Sequence, residues 1–362
     1  MRPRLHALTT LRFFAALHVV LFHMRVVGIL PSGPWWYQNF AGIGYVGVNF
    51  FFVLSGFILV YTYEGPELSV RNFWWARFAR IYPAYVLSLI VAAPFFFFAV
   101  RHLDLPFFAW SKKHLFAACL LTVSLLQSWV PQAALTWNSV CWSLSVEAFF
   151  YLVFPLLLLG SAKFSKTKLM LCLVTFWLVS LSFSLSYVHF HPDGLDKINS
   201  GETTLFWKNV LSFNPLARLP EFAVGVFAGR LFLAGAAEKS FATPLILGGM
   251  LAFACVIVFA GKIPNPVLSA GLLSPAFAAI IYGCALQPKW TSFLANSWLV
   301  LLGDASYSLY LLHSLVITRA FDALPNVAHA ARVAAALAAA IAASLFSYRL
   351  VEEPARRLLR RK

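Results

Sequence analysis

The first apolar run of the chain reads Leu11-Arg12-Phe13-Phe14-Ala15-Ala16-Leu17-His18-Val19-Val20-Leu21-Phe22-His23. Eleven residues at about 100° each return to within roughly 20° of the starting direction. Arg12 and His23 therefore share one face of a helix, about three turns apart. Because a charged side chain at bilayer depth costs at least about 2.5 kcal/mol, such a residue is expected to face a bundle interior and to serve a function. The stretch predicts a membrane-spanning helix that carries part of a site.

The composition indicates a membrane protein throughout. Of the 362 residues, 61% are hydrophobic and 11% are charged, whereas soluble proteins average about 45–50% apolar and about 25% charged residues. Apolar runs of roughly 17–25 residues recur along the chain, each long enough to cross a bilayer. Arg2 and Arg4 resemble the start of a signal peptide, but no small-residue cleavage site follows, so the first span is expected to remain uncleaved. The sequence predicts one polytopic membrane domain over residues 1–362.

The net charge of +15 is explained by membrane topology rather than by nucleic-acid binding. Basic residues cluster in short loops and in the tail, as expected for the cytoplasmic side of a membrane protein. These clusters include Lys163, Lys166, Lys168, Arg356, Arg357, Arg360, Arg361 and Lys362. The five cysteines form no CxxC pair and show no His/Cys ligand spacing. The sequence therefore predicts no nucleic-acid partner, no metal and no disulfide framework.

Eleven apolar segments are visible, and the charge distribution removes one of them from the spanning set. The segments are roughly 7–30, 41–63, 81–100, 115–130, 141–160, 169–189, 214–234, 243–260, 267–286, 295–319 and 327–350. If 115–130 crossed the bilayer, the basic cluster Lys163–Lys168 would lie outside, against the positive-inside rule. We therefore predict an all-α bundle of about ten membrane helices with both termini cytoplasmic. Residues 101–140 are then an external excursion with a re-entrant or interfacial element.

Four further segments and the chain's ending carry a family resemblance. They are Gly47-Val48-Asn49-Phe50-Phe51-Phe52-Val53-Leu54-Ser55-Gly56-Phe57, Arg77-Phe78-Ala79-Arg80-Ile81-Tyr82-Pro83, Trp142-Ser143-Leu144-Ser145-Val146-Glu147-Ala148-Phe149-Phe150-Tyr151, Gly303-Asp304-Ala305-Ser306-Tyr307-Ser308-Leu309-Tyr310-Leu311-Leu312-His313, and Glu352-Glu353-Pro354-x-Arg356. In this order, after the Arg-x10-His of the first span, they resemble the membrane acyltransferase 3 family. The resemblance runs from about Leu8 to Arg356.

The resemblance implies a bacterial inner-membrane enzyme of about ten helices. Such enzymes typically move an acetyl group from cytoplasmic acetyl-CoA to a hydroxyl, often on a sugar of an envelope or extracellular polysaccharide, and need no metal. This chain has Asn49 where the family often has aspartate, so no acid or base role is assigned there. No esterase-like domain follows the tail, so the chain is expected to be the stand-alone form.

The predicted orientation places His23, Glu147 and His313 together in the outer half of the bilayer, with Asp304 nearer the middle. A neutral imidazole is suited to take the proton of an attacking hydroxyl, and a carboxylate is suited to orient it. We therefore assign His23 as general base and Glu147 as its orienting carboxylate. The alternatives are a buried His23 satisfied by a carbonyl, and a Glu147 that only pairs with Arg12 or Arg25. For His313, a purely structural hydrogen bond explains a histidine at this position as well as a catalytic role does.

Arg77 and Arg80 lie three residues apart, on one helical face at the predicted cytoplasmic surface. The planar guanidinium binds phosphate in a bidentate manner, and CoA carries several phosphates. We assign both arginines to CoA binding, with ordinary positive-inside anchoring as the alternative. Arg12, further inward, is expected either to polarise the thioester oxygen or to hold a phosphate. Whether His23 itself becomes acylated is left open by the sequence.

The leading hypothesis is thus an integral membrane O-acyltransferase that acts on a polysaccharide or a lipid-linked glycan. A proton-coupled secondary transporter or exporter is the alternative, because intramembrane Arg, His and Glu serve transporters too. No inverted repeat supports that alternative, and thioester cleavage would distinguish the two. A structural subunit that recruits partners through its basic tail is a third interpretation, but it leaves Arg12 and His23 unexplained.

Overall fold

The computed structural model describes residues 2–65 and 69–359, and within these ranges all regular secondary structure is helical. The helices are α1 (His6–Val26), α2 (Trp35–Gly42), α3 (Val46–Tyr63), α4 (Val70–His102), α5 (Ala109–Lys113), α6 (Leu115–Val123), α7 (Trp142–Gly160), α8 (Lys166–Phe190), α9 (Phe206–Phe213), α10 (Pro215–Leu233), α11 (Ala242–Phe259), α12 (Asn265–Ser269), α13 (Ser274–Ala285), α14 (Ser297–Asp322), α15 (His329–Ser347) and α16 (Glu353–Leu359). Arg360, Arg361 and Lys362 of the predicted basic tail lie outside the described residues.

The predicted all-α polytopic bundle is confirmed. In the described part of the chain, nine helical stretches are long and apolar enough to cross a membrane. The predicted span 214–234 is not among them, although it corresponds to α10, which has 19 residues. Three ionisable residues, Arg218, Glu221 and Arg230, make α10 more polar than an ordinary span. Counting α10 as a crossing gives the ten helices expected from the charge distribution.

A buried ion pair explains how α10 carries charge inside the bundle. Arg218 and Glu221 are both almost fully buried and pair across one helical turn at 3.1 Å. Arg218 also donates to Asn49 Oδ1 at 2.9 Å and to the backbone oxygen of Ser269. Such partners offset the large cost of removing charges from water. Asn49 therefore acts here as a hydrogen-bond acceptor that holds α3 against α10.

The predicted excursion 101–140 contains no helix long enough to cross a membrane. Its longest apolar helix, α6, has nine residues, which corresponds to about 14 Å of helix against roughly 30 Å of hydrocarbon. The chain then turns at Leu125, which has a φ of 60°. Ser128 Oγ donates to the backbone oxygen of Trp142 at 2.7 Å, and Gln127 Nε2 donates to that of Cys141 at 3.0 Å. These bonds attach the excursion to the start of α7.

Helix directions define two ends of the bundle. At one end, α1 and α14 begin and α3 finishes, as shown by Arg2 Nη1 donating to the backbone oxygen of Tyr61 at 2.6 Å and by the ion pair of Arg4 with Asp304. We call this the basic end. At the other, the far end, α1 and α14 finish, and the excursion 101–140 packs with α9. Each end contains a cavity.

Candidate functional site

A cavity of about 470 Å³ opens at the basic end and is walled by α1, α3, α4, α7 and α14. Its charged lining residues are Arg2, Arg4, Arg12, Arg77, Arg80, Arg356, Glu147 and Asp304. Six guanidinium groups thus face two carboxylates in a site whose walls belong to an apolar bundle. A cleft lined by one sign of charge concentrates counter-ions. The cavity is therefore built for an anionic ligand.

Aromatic rings fix Arg77 in the wall. Its Nη2 donates to Tyr63 Oη at 2.9 Å, and its guanidinium lies 5.3 Å from the Tyr63 ring centroid and 5.9 Å from that of Tyr151. These are distances at which a cation is attracted to a ring face. Arg77 is therefore held at the cavity in a defined orientation, as a phosphate-binding side chain requires.

Arg12 and Arg80 differ from Arg77 because neither guanidinium forms a hydrogen bond with another described residue. Both line the cavity, where their two positive charges repel each other and the carboxylates near both include Glu147 and Glu352. A guanidinium in an apolar bundle needs hydrogen-bond acceptors. The two side chains are therefore available to bind an anion that enters from the basic end.

Glu147 lies in the cavity wall, and the predicted pairing with His23 is not what the structure shows. Glu147 accepts hydrogen bonds from Tyr151 Oη and, at 3.5 Å, from Ser55 Oγ. The prediction that Glu147 lies in the outer half takes residue 141 as the outer end of the span 141–160, whereas α7 begins deeper. Val140, directly before α7, accepts a hydrogen bond from Tyr310 at 2.8 Å, one helical turn below His313. Glu147 is consequently level with Arg12 rather than with His23.

His23 and His313 do come together, as predicted. Their ring centroids are 4.8 Å apart with an interplanar angle of 61°. The Nδ1 of His23 lies 2.9 Å from the backbone oxygen of Val19, and the Nδ1 of His313 lies 2.7 Å from that of Tyr310. Because a carbonyl only accepts, each Nδ1 carries the hydrogen, and each Nε2 keeps a free lone pair. A backbone carbonyl thus holds His23, as the alternative supposed, yet the lone pair of its Nε2 is left free to accept a proton.

An aromatic layer separates the cavity from the histidine pair. Phe51 and Tyr310 both line the cavity, and their ring centroids are 6.2 Å apart. Tyr310 precedes His313 by three residues, with ring centroids 6.1 Å apart. Its hydroxyl also lies 2.7 Å from Ser143 Oγ. The cavity therefore ends one helical turn short of the histidines.

Two elements of the site were not assigned a role from the sequence. Glu352 is 1% exposed and accepts a hydrogen bond from Ser308 Oγ at 3.3 Å. It lies in a π-helical turn, Tyr348–Glu352, a distortion that is frequent at functional sites. The sequence feature that could have indicated a role for Glu352 is its position in the terminal Glu-Glu-Pro motif. The sequence contains no signal for the aromatic partners of Arg77, because Tyr63 and Tyr151 look like ordinary residues of apolar runs.

Comparisons with known proteins find related sequences along nearly the whole chain. A family model described as an acyltransferase domain matches residues 5–349. Acyltransferase MdmB of Streptomyces mycarofaciens is 26% identical over 99% of this chain and 93% of its own length. O-acetyltransferase OatA of Staphylococcus aureus is 24% identical over 98% of this chain and 58% of its own. Putative peptidoglycan O-acetyltransferase YrhL of Bacillus subtilis is 27% identical over 96% and 54%, respectively. No solved structure matches the chain.

Proposed function

The chain belongs to the membrane acyltransferase family whose domain model covers residues 5–349, and we propose that it moves an acetyl group from cytoplasmic acetyl-CoA to a sugar hydroxyl of an envelope or extracellular polysaccharide. The observation that carries this proposal is a strongly cationic cavity that ends one helical turn from a histidine pair. Family membership makes the protein an acyl-transferring membrane enzyme. The donor, the acceptor and the bacterial inner membrane as its location are the proposed refinements.

The shape of the cavity suits acyl-CoA, which carries phosphates at one end and a thioester at the other. The mouth at the basic end, with Arg2, Arg4 and Arg356, together with Arg77 and Arg80, fits the phosphates. The pantetheine arm then extends past Arg12 toward the layer of Phe51 and Tyr310. The phosphates of acyl-CoA thus lie at the cationic mouth, and its thioester lies at the end of the cavity nearest His23.

Arg12 is better suited to phosphate than to the thioester. The 11 residues from Arg12 to His23 correspond to about 16 Å along α1. A group that polarises the thioester oxygen must lie beside the carbon under attack, and therefore near His23. Of the two roles predicted for Arg12, we retain phosphate binding.

In the proposed reaction, His23 Nε2 takes the proton of the sugar hydroxyl as the hydroxyl oxygen attacks the thioester carbonyl carbon. The C–S bond breaks, an ester forms, and the imidazolium returns the proton to the departing CoA sulfur. The hydrogen bond from His23 Nδ1 to the Val19 oxygen fixes the required tautomer. A backbone carbonyl therefore supplies the orientation that was expected from Glu147.

The relatives support acetyl as the group and a glycan as the acceptor. Two of the matched proteins are named O-acetyltransferases, and one of these names specifies peptidoglycan. This chain spans a little over half the length of those two proteins and nearly all of MdmB. We extend the acetyl group and the glycan acceptor to this chain as part of the proposal.

The test is transfer of radiolabelled acetyl from acetyl-CoA to native envelope glycans in membrane vesicles. Wild-type protein is expected to label a glycan, and His23→Ala and the double variant Arg77→Ala/Arg80→Ala are expected to lose the label. His6→Ala and Arg71→Ala are matched controls, because both residues are exposed and lie on the same helices. Thioester that stays intact with every glycan and acyl donor supplied would overturn the proposal and favour a transporter.

A further inference from the structure

A second cavity, of about 250 Å³, lies at the far end of the bundle. It forms where the residues around α5 meet the excursion and the start of α9, and its lining includes Phe107, Trp110, Lys113, Gln132, Thr204 and Asn209. It belongs to the face opposite the mouth of the acyl-donor cavity. We call it the outer groove.

The lining of the outer groove combines aromatic rings with polar groups, of which Lys113 alone is charged. Phe107 and Trp110 are half-buried, which fixes their rings while leaving part of each surface open. Gln132 and Thr204 are exposed and supply amide and hydroxyl groups that both donate and accept. A sugar ring has an apolar C–H face and an edge of hydroxyls. A rigid aromatic surface beside an amide and a hydroxyl matches both features.

Asn209 makes the groove a preformed site. Its side chain is buried, and Nδ2 donates to the backbone oxygens of Thr203 at 2.7 Å and Pro131 at 3.3 Å. Both amide hydrogens are used, so Oδ1 remains as an acceptor with no partner among the described residues. Asp193 caps α9, the helix that carries Asn209, by accepting a hydrogen bond from the backbone N–H of Lys208 at 2.8 Å. A ligand hydroxyl thus meets a fixed acceptor rather than a mobile loop.

The segment that follows Gln132 in the groove wall reaches the helix that carries His313. Six residues after Gln132, the buried Asn138 donates from Nδ2 to the backbone oxygen of Leu311 at 3.0 Å. Leu311 lies two residues before His313 on α14. One short segment therefore lines the groove at one end and, at the other, contacts α14 two residues from His313.

We propose that the outer groove binds a saccharide unit of the acceptor glycan, next to the unit whose hydroxyl is acylated at His23. This inference rests on the proposed function and adds to it an acceptor subsite with named residues. Trp110 and Phe107 pack against the sugar ring, and Gln132, Thr204 and Asn209 hydrogen-bond its hydroxyls.

The test measures acceptor and donor dependence separately, with the envelope glycan that wild-type protein labels as the probe. Trp110→Ala is expected to raise the KM for the glycan by about tenfold, which corresponds to the loss of one aromatic contact. The KM for acetyl-CoA is expected to stay unchanged, because the donor cavity lies at the other end. Gln132→Ala alters an exposed side chain that the fold does not need, and it should raise the glycan KM in the same direction.

Trp207→Ala is the matched control, since Trp207 is exposed on α9 but does not line the groove. An unchanged glycan KM in both groove variants would overturn the subsite while leaving the proposed function intact. An equal rise in Trp207→Ala would overturn it too, because the effect would not be specific to the groove. If wild-type protein labels no glycan, the proposed function fails, and the subsite fails with it.

Discussion

At the scale of single residues, the proposed reaction depends on two histidines that share one hydrogen-bonding arrangement. His23 and His313 each donate from Nδ1 to a backbone carbonyl, and their rings are in contact. His313 is fully buried, and its Nε2 has no partner among the described residues. A buried lone pair without a donor is costly. An incoming hydroxyl group supplies one O–H donor, which the Nε2 of either histidine can accept.

Replacing His23 tests its role as base. His23→Ala and His23→Gln are expected to lower kcat about 10²- to 10⁴-fold, the range for loss of a general base, because neither variant supplies an imidazole lone pair. The KM for acetyl-CoA should change little, since the arginines lie at the other end of the cavity. Initial-rate kinetics of acetyl transfer check both quantities. A His23→Gln enzyme with wild-type kcat would contradict the assignment.

Replacing Arg80 tests donor binding. Because its guanidinium has no hydrogen bond to a described side chain, Arg80→Ala should raise the KM for acetyl-CoA, by about tenfold or more, as expected for loss of one charge-assisted contact. Arg80→Lys should recover part of the affinity, since the charge returns without the bidentate geometry.

Titration of acetyl-CoA, with acetylpantetheine as a phosphate-free comparison, provides the measurement for Arg80. The variant and wild-type enzymes should use acetylpantetheine equally well. A defect of the same size with both donors would mean that Arg80 acts on something other than the phosphates.

At the scale of helices, close contact between α3 and α10 positions the cavity wall. A Cβ added at Gly225 would collide with the backbone of Val53, which shows that the two helices touch backbone to backbone. Small residues permit such approach in membrane bundles. Since α3 carries Phe51, Phe52 and Ser55 into the cavity, the contact sets where that wall stands.

Two glycine substitutions test this contact. Gly225→Ala is expected to destabilise the protein by about 1–3 kcal/mol, because the overlap with the Val53 backbone forces the helices apart. Gly248→Ala is the control, because a Cβ there meets nothing within 4 Å in α11. It should be neutral or stabilising by about 0.5–1 kcal/mol. Thermal unfolding in detergent compares the two, and equal midpoints would contradict the packing.

The depth of helices also separates what the sequence predicted from what it did not. The sequence predicted the site positions of Arg12, His23, Arg77 and Arg80. Charged and imidazole side chains are rare in apolar runs, and these four residues lie in recognisable motifs. The partner of Glu147 was predicted wrongly, because its depth depends on where α7 begins. Contacts of Val140 and Asn138 with α14 decide that point. Such long-range contacts leave no periodicity in the sequence.

At the scale of the whole molecule, the basic end and the far end must face different compartments. The charge distribution predicts that the basic end faces the cytoplasm, and the structure separates the two cavities along the bundle. Donor and acceptor would then reach one reaction centre from opposite sides.

Labelling of single introduced cysteines tests the orientation, after the five native cysteines are replaced. A membrane-impermeant maleimide added to intact cells should label Gln132→Cys and Trp207→Cys. It should reach Arg357→Cys only after the membrane is opened, because that residue lies at the basic end near Arg356. The opposite pattern would mean that the predicted topology is inverted.

The central claim is transfer across the bilayer through this bundle, and reconstituted vesicles of one orientation test it most directly. Labelled acetyl-CoA is supplied only on the side of the basic end, and the glycan acceptor only on the side of the far end. Label is expected on the glycan in this arrangement, but not when the two substrates are exchanged and not with His23→Ala. Label that appears only when acetyl-CoA and glycan share the far side would contradict that claim.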